Sequence, residues 1–110
     1  MTKIFYSPEA YNDLLEIQSY IRDELYNPTA AKNVLERIAK SIRLLETGPK
    51  LGTPLSTVTK IDSDYRYLVS GSYITFYRHV DDACYIDRIL YGKRDYLAIL
   101  FENHPEIFKD

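Results

Sequence analysis

The sequence is short of several residue types, and each shortage excludes a class of protein. Of its 110 residues none is tryptophan, one is cysteine and four are glycine. The single thiol, Cys84, excludes an intrachain disulfide, and without a signal peptide it predicts a cytoplasmic protein. The four glycines stand at turn positions, which excludes a glycine-rich nucleotide loop. No apolar run approaches the ~20 residues that a membrane span requires.

Histidine is scarce as well. His79 and His104 are the only two, and neither stands at metal-ligand spacing from a second histidine or a cysteine. The sequence therefore predicts no metal, no cofactor and no membrane partner. Its length is that of one domain, which we expect to span residues 1–110.

Positive charge is not in excess either. The chain has 14 Lys and Arg against 16 Asp and Glu, a net charge of -2. Residues 1–60 carry 8 cations and 7 anions, and residues 61–110 carry 6 and 9. Any contact with nucleic acid must therefore be a local patch rather than a basic face.

Tyrosine, by contrast, is abundant. There are 11 tyrosines, and seven of them lie between Tyr65 and Tyr96. A tyrosine ring suits half-buried strands and also interfaces, where one end is apolar and the other is wet. The pattern is compatible with sheet packing and with a partner-binding surface.

Two amphipathic helices are predicted in the first half of the chain. Ser7-Pro8 and Asn27-Pro28 each combine an N-cap residue with proline at the first helical position. Apolar residues then recur every three or four positions, from Ala10 to Leu25 and from Ala31 to Leu45. Gly48-Pro49 ends the second helix, and the short linker between the two helices requires an antiparallel hairpin.

The second half predicts a three-stranded antiparallel meander with tight turns at Gly71 and at Asp81-Asp82. The expected strands and the final helix are 3–6, 65–70, 73–79, 84–91 and 96–101. The fold class is α+β: an N-terminal strand, a helical hairpin packed on one face of a small antiparallel sheet, and a short C-terminal helix. We expect the apolar C-terminal segment, including Ile107 and Phe108, to pack on the sheet or on a partner.

A cationic turn follows the last strand. Arg88-Ile89-Leu90-Tyr91 runs directly into Gly92-Lys93-Arg94-Asp95, which places two adjacent cations at a fixed strand end. Such a point can hold a phosphate, a nucleic acid backbone or an acidic protein. Strand alternation predicts Ile86, Arg88 and Leu90 on one face of the sheet. For Arg78 and Arg88, an ion pair with Asp87, Asp82 or Asp64 is as compatible with the pattern as a binding role.

The order and content of these segments resemble the RelE/ParE superfamily of toxins from bacterial type II toxin–antitoxin modules, over about residues 4–100. The segments that carry the resemblance are Phe5-Tyr6-Ser7-Pro8-Glu9-Ala10, Tyr65-Arg66-Tyr67-Leu68, Gly71-Ser72-Tyr73-Ile74, Phe76-Tyr77-Arg78 and Arg88 to Asp95. The resemblance implies a cognate antitoxin as partner and a role in growth inhibition and plasmid stabilisation.

The superfamily has two branches. RelE-like members cut messenger RNA on the ribosome, whereas ParE-like members poison DNA gyrase and perform no chemistry of their own. Ile74 stands where the RelE-type pattern has an arginine, and Leu100 stands where it has a tyrosine, while Arg94 matches a phosphate-contacting arginine. The resemblance therefore favours a ParE-like gyrase inhibitor. The alternatives are a ribosome-dependent mRNA endoribonuclease with a divergent residue set and an inactive module that only binds antitoxin.

Site residues follow from these patterns. The residues predicted to bind the target are Arg66, Arg78, Arg88, Lys93 and Arg94. Those predicted to bind the antitoxin are Tyr73, Tyr77, Tyr96, Leu97, Leu100 and Phe101. Cleavage of RNA needs a base, an acid and cations. The candidates for these catalytic roles are Arg94, Lys93, Arg66 and His79, although the position of His79 at a strand end favours a solvated turn histidine.

Overall fold

Two helices lie against one face of a five-stranded sheet, and a short third helix packs with residues of the other face. The computed structural model describes residues 1–101. The expectations for His104, Ile107 and Phe108 lie outside the described residues. The elements are β1 (Lys3–Tyr6), α1 (Pro8–Ser19), α2 (Pro28–Arg43), β2 (Thr53–Pro54), β3 (Tyr65–Ser70), β4 (Tyr73–Val80), β5 (Ala83–Tyr91) and α3 (Tyr96–Leu100).

The sheet has the order β1-β5-β4-β3-β2. The predicted meander is confirmed, because β3, β4 and β5 pair antiparallel in sequence. The sheet as a whole is mixed rather than purely antiparallel, since β1 runs parallel to β5 with Phe5 opposite Tyr85. Tight turns specify only the pairing of neighbouring strands. The partner of β1 is set instead by the helical hairpin that carries the chain across the sheet.

Both predicted helix starts are confirmed. The Ser7 hydroxyl accepts a hydrogen bond from the Ala10 amide at 2.9 Å, and the Asn27 side chain accepts one from the Ala30 amide at 3.0 Å. The first helix is less regular than predicted. It changes after Ser19 into a π-helical turn, Tyr20–Glu24, and then Tyr26 takes a left-handed φ of 53°. α2 continues into a 3₁₀ turn at Leu44–Glu46.

The two faces of the sheet bury separate apolar clusters. On the helical face the sheet residues Tyr77, Cys84, Ile86 and Ile89 pack with α1 and α2. On the opposite face the buried residues are Leu55, Phe76, Leu90 and Phe101. Consecutive residues such as Phe76 and Tyr77 belong to different clusters, as the two-residue repeat of a strand requires.

The predicted alternation along β5 is wrong beyond Asp87. Phe76 pairs with Arg88 and Tyr77 pairs with Ile86, so that Asp87 is an extra residue in the ladder. This β-bulge places Ile86 and Ile89 in the same cluster and Leu90 in the other.

The buried Thr75 provides a test of the packing. It is fully buried in β4, opposite Leu68 and Ile89, and its hydroxyl makes no hydrogen bond with a described residue. We expect Thr75→Val to raise the free energy of unfolding by about 1 kcal/mol, because it removes an unsatisfied polar group while keeping the shape. Thermal and urea unfolding measure this. Thr53→Val, at an exposed strand position, is the control, and a less stable Thr75→Val protein would contradict the assignment.

Candidate functional site

A carboxylate of α1 fixes the end of β5 that leads into the cationic turn. Asp13, only 5% exposed, receives two hydrogen bonds of 2.9 Å from the Arg88 guanidinium. It also accepts one of 2.9 Å from the Ile89 amide. β1 ends at Tyr6, so this part of β5 has no neighbouring strand on that side. The Asp13 carboxylate supplies the hydrogen-bond acceptor that a neighbouring strand would provide for the Ile89 amide. The two hydrogen bonds from Arg88 hold the carboxylate in that position.

Arg78 is also engaged within the protein. Its Nε lies 2.9 Å from an Asp87 carboxylate oxygen, and its guanidinium lies 6.0 Å from the centre of the Tyr85 ring. The ion pair with Asp87 was one of the alternatives that the sequence left open. Arg78 is therefore tied to its own sheet, although its side chain remains 43% exposed.

Tyr65 lies beside this pair in a small cleft of 190 Å³ that is also lined by Asp87, Arg88 and Leu100. Burial, and then the negative charge and hydrogen bond of Asp87, raise the pKa of the Tyr65 hydroxyl to about 12. A tyrosine with such a pKa stays protonated at neutral pH, so it is a poor general base. Besides this protonated hydroxyl the cleft is lined by one cation, Arg88, and by two carboxylates, Glu9 and Asp87, of which Asp87 is paired with Arg78.

Arg66 supports a loop. One of its Nη1 hydrogens is donated to the Gly52 carbonyl at 2.8 Å, and the same nitrogen lies 3.3 Å from the Lys50 carbonyl. The Tyr77 hydroxyl holds the same loop, since it accepts from the Gly52 amide and donates to the Pro49 carbonyl, both at 2.8 Å. Gly52 is required here because a Cβ would lie 2.6 Å from the Tyr77 ring.

Lys93 and Arg94 are placed differently from the other three predicted target-binding residues. Both are exposed, and neither makes an ion pair with any residue in the range 1–101. The turn that carries them is fixed by the Gly92 amide, which donates to the Ser72 carbonyl at 2.8 Å. Asp95 begins α3 by accepting from the Ala98 amide at 3.3 Å. We call the pair Lys93 and Arg94 the cationic corner.

An apolar groove of 710 Å³ opens beside the cationic corner. Its walls come from α1, the π-helical turn, the start of α2 and the adjoining ends of β4 and β5. The apolar and aromatic residues that line it are Ile17, Tyr20, Ile21, Leu25, Ala30, Val34, Tyr73, Ile89, Leu90 and Tyr91. Arg94 also lines it, and Tyr73 and Tyr91 meet edge to face with ring centres 5.9 Å apart.

The residues predicted to bind the antitoxin are divided among three places. Tyr73 lines the groove, whereas Tyr77 is fully buried in the core. The other four, Tyr96, Leu97, Leu100 and Phe101, belong to the apolar cluster on the opposite face, where Phe101 meets Tyr65 edge to face. Of the two alternatives for the C-terminal segment, sheet or partner, the described part up to Phe101 packs on the sheet.

Local sequence patterns do not reveal the groove as a site. Tyr20, Leu25 and Tyr91 are exposed aromatic or apolar residues of the groove wall. In the sequence Tyr20 stands out only as a member of an abundant residue type, Tyr91 only as the end of the strand before the cationic turn, and Leu25 only as part of the apolar stripe of a regular helix. The π-helical turn shifts the side-chain positions, and π-helical turns are frequent at functional sites.

The described residues contain few elements of a nuclease site. His79 is partly exposed in β4 opposite Cys84, and its imidazole makes no hydrogen bond or ion pair with another described residue. Ile74 and Leu100, at the two substituted positions, both pack in the apolar cluster of the second face. Within residues 1–101 no three His, Cys, Asp or Glu side chains come together to hold a metal, and no helix is long and apolar enough to cross a membrane.

The helical hairpin, the meander and the cationic corner together have the architecture expected of a RelE/ParE superfamily toxin. Residues 4–96 match the sequence model of the family described as ParE toxin of type II toxin–antitoxin system, parDE. This match covers most of the chain, and the protein therefore belongs to the ParE toxin family.

Two solved structures share the fold. One, from the chromosomal ParDE toxin–antitoxin system of P. aeruginosa, is 18% identical with a TM-score of 0.70, covering 84% of this chain and 98% of its own. The other is YafQ from E. coli strain BL21(DE3), 23% identical with a TM-score of 0.50, covering 92% of this chain and 99% of its own. No curated protein sequence matches the chain significantly.

The contribution of Asp13 can be measured by removing its carboxylate. Asp13→Ala leaves the Arg88 guanidinium and the Ile89 amide without their acceptor, so we expect a loss of about 3 kcal/mol in the free energy of unfolding. Asp13→Asn, which keeps one acceptor oxygen, should lose less. Urea unfolding gives the values. Asp82→Ala, which removes the exposed 3.9 Å pair with Lys3, is the control, and equal losses for Asp13→Ala and Asp82→Ala would contradict the role of Asp13.

Proposed function

We propose that this chain is the toxin of a type II toxin–antitoxin module and that it inhibits growth by binding DNA gyrase without chemistry of its own. The observation that carries the proposal is the cationic corner. Lys93 and Arg94 are exposed, held on a rigid strand end and without an ion pair among the described residues. A fixed pair of cations suits the recognition of a phosphate backbone or an acidic protein surface.

The chemistry of the surrounding groups supports binding rather than cleavage. A ribonuclease must take a proton from the 2′-hydroxyl, and arginine stays protonated at all physiological pH values. Tyr65, with a pKa of about 12, is protonated as well. Ile74 and Leu100 place hydrocarbon where the RelE-type pattern has polar groups.

We also propose that the cognate antitoxin binds in the apolar groove. The solved P. aeruginosa relative comes from a ParDE toxin–antitoxin system, and the same partnership here requires a surface for a second protein. A groove of 710 Å³ lined by Tyr20, Tyr73 and Tyr91 has the aromatic content of a protein-binding site. Because Arg94 lines the groove, an antitoxin bound there also covers half of the cationic corner. An antitoxin in the groove then neutralises the toxin directly, because it keeps Arg94 from the target.

The target can be tested with purified gyrase. We expect the wild-type toxin to block supercoiling of plasmid DNA or to trap cleaved DNA. The double variant Lys93→Ala/Arg94→Ala should be weaker by roughly tenfold or more, which corresponds to about 1.4 kcal/mol of binding free energy. A translation extract run in parallel reports on cleavage of messenger RNA on the ribosome.

The matched control removes the same charge elsewhere. Arg37 and Lys40 are exposed cations on α2, and Arg37→Ala/Lys40→Ala should inhibit as well as the wild type. If gyrase stays fully active at high toxin excess and transcripts in the extract are shortened, the toxin acts as a ribonuclease and the gyrase proposal is wrong. No effect in either assay would indicate a module that only binds antitoxin.

Antitoxin binding is tested by placing a charge in the groove. Tyr20→Asp replaces an aromatic ring of the groove by a carboxylate and adds to the negative charge of Asp13 and Glu16, which also line it. We expect antitoxin affinity to fall by about 2 kcal/mol, roughly 30-fold. Titration calorimetry with the antitoxin encoded beside the toxin gene gives the dissociation constant. Tyr11→Asp is the control, because Tyr11 is a similarly exposed tyrosine of α1 that does not line the groove. If both variants bind the antitoxin like the wild type, the groove is not its site.

A further inference from the structure

No strand pairs with the outer edge of β1, although just before this strand the Thr2 amide donates to the Glu46 carbonyl at 2.9 Å. The Lys3 amide donates to the Asp82 carbonyl at 2.8 Å, and the Ser7 amide donates to the Ile86 carbonyl at 2.9 Å. Alternate residues of a strand turn their backbone groups to opposite sides, so the N–H and C=O groups of Ile4 and Tyr6 face away from β5. Among the described residues no side chain or loop hydrogen-bonds to them.

A row of stacked side chains crosses the sheet and ends at this edge. The Phe5 and Tyr85 rings lie 5.5 Å apart at 19°, and Arg78 lies over the other side of Tyr85. Phe5 is 48% exposed and Tyr85 is 39% exposed. The row begins with the Arg78–Asp87 pair, so its inner end is fixed, while the outer face of the Phe5 ring has no stacking partner among the described residues.

We propose that two copies of this chain pair through β1 in an antiparallel arrangement whose two-fold axis passes beside Phe5. In this register Ile4 faces Tyr6 of the second copy, and the outward backbone groups of these residues form four hydrogen bonds. Phe5 faces Phe5 of the second copy, so that the stacked row continues from Arg78 of one copy to Arg78 of the other. The proposal is independent of the cellular target.

The edge is self-complementary, which favours a second copy over a foreign strand. Lys3 faces Ser7 of the second copy, so no like charges lie opposite one another. Ile4 and Tyr6 form an apolar cross-strand pair. An isologous contact requires a patch that is complementary to itself under a two-fold rotation. Lys3, Ile4, Tyr6 and Ser7 meet this requirement, because each faces a compatible residue of the second copy. A four-residue edge buries less area than a standard interface, and dimerisation is therefore concentration-dependent.

A disulfide reports the register directly. The Phe5 pair lies between hydrogen-bonded pairs, where Cα atoms are ~4.5 Å apart, within the range that a disulfide spans. The full-length Phe5→Cys protein should form a covalent dimer under mild oxidation. Lys3→Cys is the control, because its two copies lie roughly 14 Å apart along the strands. The native Cys84 is fully buried and does not compete.

Sedimentation velocity over a concentration series provides the second test. We expect the wild type to shift from monomer to dimer as concentration rises, and Phe5→Lys to remain monomeric because two cations then meet at the axis. Val69→Lys changes another exposed apolar strand residue, in β3, and should dimerise like the wild type. Melting curves show that each variant is folded.

Three outcomes would overturn the proposal. The first is a wild type that stays monomeric at every concentration with no Phe5→Cys cross-link. The second is a Phe5→Lys protein that dimerises like the wild type, which would place the interface elsewhere. The third is a monomeric toxin in which Phe5→Lys alone weakens antitoxin binding, which would assign the β1 edge to a strand of the antitoxin.

Discussion

The contact between Asp13 and the end of β5 is the constraint on which the functional surfaces depend. One buried carboxylate joins the first helix to Arg88 and Ile89, directly after the bulge at Asp87. β1 ends opposite Ile86, so beyond that residue β5 pairs with a strand on one side only, through β4. The contact therefore holds both the cationic corner, five residues beyond Arg88, and the helix that forms one wall of the groove.

The five arginines and lysines that the sequence groups together have separate roles in the structure. Arg66 holds a loop, while Arg78 and Arg88 are bound to carboxylates of the protein itself. Three cations thus stabilise the framework, and two are available to a macromolecule. Arg94 also lines the apolar groove. Under the proposed function the surfaces for target and antitoxin therefore adjoin, and occupancy of one would control the other.

Much of the fold could be predicted from local patterns. Ser7-Pro8 and Asn27-Pro28 begin helices because their side chains satisfy free amides, and Gly71 turns the chain because it takes a φ of 61° at no steric cost. The cationic corner was also visible, since Lys93 and Arg94 follow an apolar strand. The groove was not, because its walls come from four elements and from a π-helical turn that apolar periodicity does not reveal.

The sequence by itself determined the helices, the order of the meander and the exposed pair at Lys93 and Arg94, since each depends on residues near one another in the chain. The tertiary structure decided the parallel pairing of β1, the bulge at Asp87 and the partners of Arg66, Arg78 and Arg88. A charged side chain takes whichever opposite charge or carbonyl the fold brings within reach. For Arg88 that group is Asp13, which lies 75 residues earlier in the chain, and a pattern of neighbouring residues cannot predict a contact across that separation.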